Sequence, residues 1–155
     1  MKYLSILWLC CFVWAGALQA QSPVVPSEVP TLMEKASRQM DAIQYEAAMQ
    51  TWEEALARLM TGGWTKSVEV VDCYTGLGEC QMNIGQYEAA YRYLGKGLEL
   101  GRELEDDRRQ TRLYNLMGLC LWSQKQFDRA LDSLQRAIAL QLGEIDDPQL
   151  GDTYL

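Results

Sequence analysis

The sequence predicts an all-α chain, an α-α superhelix (solenoid) of helix-turn-helix repeats, and three observations carry that expectation. The stretch IQYEAAMQTW at 43–52 returns as GQYEAAYRYL at 85–94 and as KQFDRALDSL at 125–134, first 42 and then 40 residues on. Repetition at such a period is the signature of architectures in which one small unit stacks on the next. Within each copy the apolar positions step by three, four and seven, which marks one face of a helix rather than the alternation of a strand. Between Pro30 and Pro148 the chain has no proline, so no residue there is obliged to interrupt a helix.

Taken in order, residues 1–20 (MKYLSILWLCCFVWAGALQA) place Lys2 before an apolar run that ends near Val13, followed by the small residues Ala15, Gly16, Ala17 and Ala20. That is the layout of a secretory signal peptide cut after Ala17 or Ala20, and it predicts an exported chain, periplasmic or secreted. The alternative is an uncleaved N-terminal membrane anchor, although the apolar run falls short of the ~20 residues that span a bilayer. Cys10 and Cys11 lie inside the run, without the small residues that a lipidation site wants just before its cysteine. Residues 21–30 hold three of the four prolines and read as a linker. The helical text divides into a degenerate first copy (31–66), a second (67–106), a third (107–146) and the start of a further copy (147–155).

Two helices per copy are expected: 67–82 and 87–104 in the second, 108–123 and 127–142 in the third. Asp107, three residues before Gln110, has the arrangement of a capping box. Asp147 before Pro148 sets a cap ahead of a proline at the first helical position. Gly85 falls in the turn between paired helices, where positive φ is wanted. The second and third copies align residue for residue at a spacing of 40: Tyr74 with Tyr114, Gly78 with Gly118, Cys80 with Cys120, Tyr87 with Phe127, Ala90 with Ala130, Leu94 with Leu134. The small members of these pairs (Gly78, Gly118, Ala90, Ala130) are placed where helices must approach closely, with Tyr87, Phe127, Leu94 and Leu134 filling the space beside them. One such hairpin cannot hide its apolar face alone, whereas a stack can.

This pattern resembles the tetratricopeptide repeat, a helix-turn-helix unit with Tyr, Leu and Gly early and Ala, an aromatic or Leu, and Ala-Leu later. The residues that carry the resemblance are Tyr74, Leu77, Gly78, Tyr87, Ala90, Leu94 and Leu98, then Tyr114, Met117, Gly118, Phe127, Ala130, Leu134, Ala137 and Ile138. The first copy matches less well, through Leu32, Ala36, Tyr45, Ala48, Trp52, Ala55 and Leu56. The usual period is ~34 residues, so the 40 to 42 here is similar to the longer variant of kinesin light chain and exported bacterial repeat proteins.

Composition excludes several function classes. The formal charge is −7, and beyond the first twenty residues 13 basic side chains face 21 acidic ones. Nucleic acid and anionic membranes are poor partners for such a chain, because phosphate binding draws on clustered Lys and Arg. There is no histidine, which removes the commonest general base and metal ligand. Cys73, Cys80 and Cys120 are odd in number and lack metal-type spacing. Cys73 and Cys80 would stand about 10 Å apart along one helix, too far for a disulfide, so the three thiols read as small core residues. GKGLELG at 95–101 fits neither phosphate-loop template and lies inside a repeat helix. ELEDD at 103–107 reads as a solvated inter-repeat loop. No catalytic residue, cofactor or metal is expected.

What remains is recognition. In the family that the sequence resembles, first helices line a concave surface, with ligand-facing residues six and three before the repeat Gly, one after it, and four or five after it. The resemblance thereby implies Asp72, Thr75, Glu79, Met82 and Asn83 in the second copy and Arg112, Asn115, Leu119, Trp122 and Ser123 in the third. Met82 and Trp122 could equally pack against a neighbouring helix, and Arg112 could bridge Glu79 or Asp72. Gly76 and Leu116 stand where the family's chaperone-tail clamp requires Asn and Arg, which argues against such tails. The expected function is a non-catalytic scaffold binding a peptide or protein segment in the groove. The alternative is the sensory or docking ectodomain of a larger signalling kinase or protease-like protein. Self-association through the unfinished C-terminal helix is a further expectation.

Overall fold

The computed structural model describes residues 25–143. The expected signal peptide, the first four residues of the linker and the start of a further copy, with its Asp147–Pro148 cap, lie outside the described residues. Those described form six helices: α1 Glu28–Asp41, α2 Tyr45–Thr61, α3 Val68–Asn83, α4 Tyr87–Glu103, α5 Asp107–Ser123 and α6 Phe127–Leu142. Consecutive helices pack on one another throughout, giving three stacked hairpins. The fold is an all-α helical-repeat superhelix, as expected.

One turn chemistry recurs inside all three hairpins. Ile43, Gly85 and Lys125 occupy the same place in their hairpins, with φ of 62°, 80° and 61°. The amide that follows each one reaches back to the last turn: Gln44 N to Gln39 O at 2.8 Å, Gln86 N to Gln81 O at 2.8 Å and Gln126 N to Leu121 O at 2.9 Å. This is the bond that closes a Schellman motif. The same glutamines then open the next helix, since their carbonyls accept from Ala48, Ala90 and Ala130. Gly85 meets the left-handed requirement without strain, whereas Ile43 meets it with a β-branched side chain.

Two boundaries differ from the sequence reading. Helix α1 begins at Glu28 rather than at residue 31, so Pro30 sits within its first turn, where a missing N–H breaks no intrahelical bond. Val29, assigned to the linker, is fully buried. The N-cap of α5 is Asp106 rather than Asp107: Asp106 Oδ1 accepts from Arg109 N at 3.0 Å. Gln110 turns inward and donates to the Gly101 carbonyl at 3.3 Å.

The small residues do set the seams. A Cβ added at Gly78 would lie 2.6 Å from Leu94 Cδ2, and one at Gly118 would lie 2.9 Å from Leu134 Cδ2. These glycines let the two helices of a hairpin close. Gly97 does the same between repeats, since a Cβ there would come within 3.2 Å of Leu113 on α5, whereas Gly95 faces open space. In the first copy Trp52 stands where Leu94 and Leu134 stand later. It presses instead on Gly76 of α3, where an added Cβ would fall 2.3 Å from the ring. The core is therefore continuous along the stack, with Leu59, Leu77, Leu94, Leu113 and the three cysteines completely enclosed. Phe127 departs from expectation: rather than filling a seam it is 52% exposed and meets Trp122 edge-on at 4.9 Å.

Candidate functional site

Each tight turn reverses the chain, so α1, α3 and α5 run the same way, side by side on one face. Ion pairs record that register: Asp72 and Arg109 meet near the N-termini of α3 and α5, and Glu79 and Arg112 meet further along. Between these three helices lies a groove of about 1040 Å³. Its floor is an apolar strip of Met33, Met40, Leu116 and Leu140, all half-buried, with the Trp52 ring beneath, its Nε1 donating to Met40 Sδ at 3.4 Å. Its walls are polar.

Five of the ten residues implied by the resemblance line this groove: Asp72, Thr75, Glu79, Arg112 and Asn115. Several are already engaged. Asp72 accepts two hydrogen bonds from Arg109, at 2.8 Å each, a fork-on-fork pair. Arg109 also donates to Asp106 at 2.6 Å. Glu79 accepts from Arg112 at 2.6 Å, so Arg112 bridges Glu79 and not Asp72. Thr75 is buried, and its hydroxyl donates to its own helix at Val71 O. Asn115 is exposed on the wall, and its amide makes no hydrogen bond among the described residues.

The other five stand outside the groove. Met82 is half-buried against the core. Asn83, at the end of α3, donates to Glu79 O at 2.9 Å, and Ser123 ends α5. Leu119 and Trp122 are 51% and 61% exposed. The groove also contains residues that the sequence reading passed over. Met33, Ser37, Met40 and Asp41 of α1 all line it. Ala36 holds the place of Gly78 in the degenerate copy, and counting from it by the same offsets reaches all four. Arg108 and Arg109 were missed for another reason: they precede the offsets altogether.

Electrostatics organise the N-terminal lip. Burial pushes the Asp106 carboxyl up, but the backbone N–H and guanidinium of Arg109 outweigh it and hold the group below the ordinary range. Arg109 is held above its ordinary value, chiefly by its bond to Asp72. Burial raises the Cys73 thiol to about 12, with Asp72 and Glu69 adding to the effect, and raises Cys80 and Cys120 to about 11. All three are core thiols rather than nucleophiles. Among the described residues no group of His, Cys, Asp or Glu is placed to hold a metal ion, and no helix is long and apolar enough to cross a membrane.

Fold and groove together define a helical-repeat scaffold. Residues 70–142 match the family model of the tetratricopeptide repeat. That stretch, residues 70–142, is a tetratricopeptide repeat region. No curated protein matches the chain. Among solved structures it is similar to the TPR domain of FLU from Arabidopsis, with a TM-score of 0.69 and 18% identity over 75% of this chain and 96% of that one. BtubC (BKLC) from P. vanneervenii superposes with a TM-score of 0.71 and 22% identity over 90% of this chain and 55% of that one. A kinesin light chain protein of Podosopora anserina with nearly identical TPR-like repeats gives 0.66 and 16%, over 80% of this chain and 61% of that one. At these identities the likeness is one of fold.

Proposed function

We propose that this chain binds a peptide or protein segment in the groove between α1, α3 and α5, and performs no chemistry of its own. Tetratricopeptide repeats serve in general as protein–protein interaction scaffolds without catalytic activity. The observation that carries the finer reading is the groove itself: an apolar floor of four half-buried side chains beneath polar walls, open along three parallel helices. A groove with apolar anchors and a few convergent polar groups is how folded proteins hold extended ligands. Asn115 supplies both a donor and an acceptor for a ligand backbone. On this reading the chain is exported, which the leader-like sequence of residues 1–20 supports.

An array of immobilised short peptides probed with the full chain tests the reading. Peptides that bind should lose about tenfold in affinity with Asn115→Ala, the loss expected for one hydrogen bond. They should lose nearly all binding with Ser37→Trp, which fills the groove from an exposed position on α1. Helical content should stay unchanged in both variants. Binding that ignores both substitutions removes the groove from the account.

A further inference from the structure

Resting on that reading, the geometry points to the sign of the ligand: the groove takes a cationic segment, with apolar side chains on the strip of Met33, Met40, Leu116 and Leu140 and a Lys or Arg at the lip where α1 ends at Asp41.

Three observations converge there. First, the groove is lined by five carboxylates (Glu34, Asp41, Asp72, Glu79, Asp107) against three guanidiniums (Arg108, Arg109, Arg112), and two of those three guanidiniums are already matched. Arg109 holds Asp72 and Asp106, and Arg112 holds Glu79. An acidic ligand would therefore compete with Asp72, Asp106 and Glu79 for two of the three cations, and taking Arg112 from Glu79, whose side chain is only 19% exposed, would leave a shielded carboxylate without its partner. A basic ligand disturbs neither pair.

Second, the C-terminal lip has a carboxylate without a cation to match. Asp41 closes α1, is exposed, lines the groove and makes no ion pair among the described residues. The last turns of α3 and α5 contain no basic residue, and the one in α1, Arg38, is bound to Glu34.

Third, α1 ends at this lip, so the partial negative charge of its C-terminus adds to that of Asp41. The N-terminal lip has the opposite polarity, but there Arg108 and Arg109 stand beside Asp72, Asp106 and Asp107. Two of the N-terminal carboxylates, Asp72 and Asp106, are ion-paired, whereas Asp41 makes no ion pair among the described residues.

The test uses the full chain and two short fluorescent peptides of one leucine-bearing sequence, one with lysines and the other with glutamates at the same positions. Fluorescence anisotropy should show the lysine peptide binding about tenfold more tightly. Most of that preference should vanish in Asp41→Lys and persist in Glu99→Lys, which changes the net charge equally from an exposed position on α4 outside the groove. Equal binding of the two peptides overturns the inference. So does tighter binding of the glutamate peptide, or an equal loss in the two variants, since the attraction would then belong to the whole acidic chain. These outcomes leave groove binding intact, provided that Ser37→Trp abolishes the signal. If neither peptide binds, the inference and the groove reading fall together.

Discussion

Helices α4 and α6 are written in nearly the same code, 40 residues apart, yet they live in different surroundings. Leu98 on α4 is 6% exposed and its counterpart Ile138 on α6 is 55% exposed; Leu131, Leu142 and Phe127 on α6 are likewise more than half exposed. Helix α4 has α5 packed on it, whereas nothing among the described residues lies beyond α6. A repeat residue therefore owes its burial to the neighbouring unit as much as to its own. In a stack of this kind, stability is a sum of unit terms and interface terms, and the two helices separate them.

The sharpest way to break the comparison is truncation at both members of the pair. Leu98→Ala should lower unfolding free energy by about 3 kcal/mol, whereas Ile138→Ala should change it by about 0.5 kcal/mol or less, as read by chemical denaturation. Similar losses would mean that α6 is covered in solution. A second contrast lies within α4 and α3. Gly78→Ala forces a Cβ onto Leu94 and should destabilise by about 2 kcal/mol. Gly95→Ala meets open space and should stabilise by about 0.5 to 1 kcal/mol through helix propensity alone.

The smallest effect concerns pH. Because Arg109 holds the Asp106 carboxyl below its ordinary range in the folded chain, this group adds stability that is complete above the unfolded pKa and is lost as pH falls through the folded one. Asp106→Asn keeps a good N-cap but loses the charge. It should be about 1 kcal/mol less stable near neutrality, and the gap should narrow in acid, as followed by thermal melts across pH.

The sequence made the hairpins legible because their contacts recur inside each copy: Gly78 with Leu94 and Gly118 with Leu134 are the same sentence written twice. The turn at Gly85 was readable for the same reason. Contacts between copies were harder. The Trp52–Gly76 contact joins two units that do not share a residue pattern, and the Asp72–Arg109–Asp106 cluster uses charges that elsewhere in the chain are only solvated. The cap of α5 was misplaced by one residue because two aspartates stand in sequence, and only the direction of Arg109 N chooses between them. In the groove, the family offsets reached the parts of α3 and α5 that face α1 and overshot towards Leu119, Trp122 and Ser123, which stand at the far end of α5. The α1 wall was missed because Ala36, and not glycine, marks the place from which to count.

The two joints of the rod differ in kind. Between the first and second hairpins the helix contact is a tryptophan seated on a glycine, and the ion pair that spans this joint, Lys66 with Glu103, starts from the exposed loop before α3. Between the second and third hairpins the clasp is ionic, Arg109 and Arg112 reaching across to Asp72 and Glu79. Dissolved electrolyte screens the second kind of clasp and leaves the tryptophan contact untouched, so added salt should loosen the joint between the second and third hairpins more than the one before it.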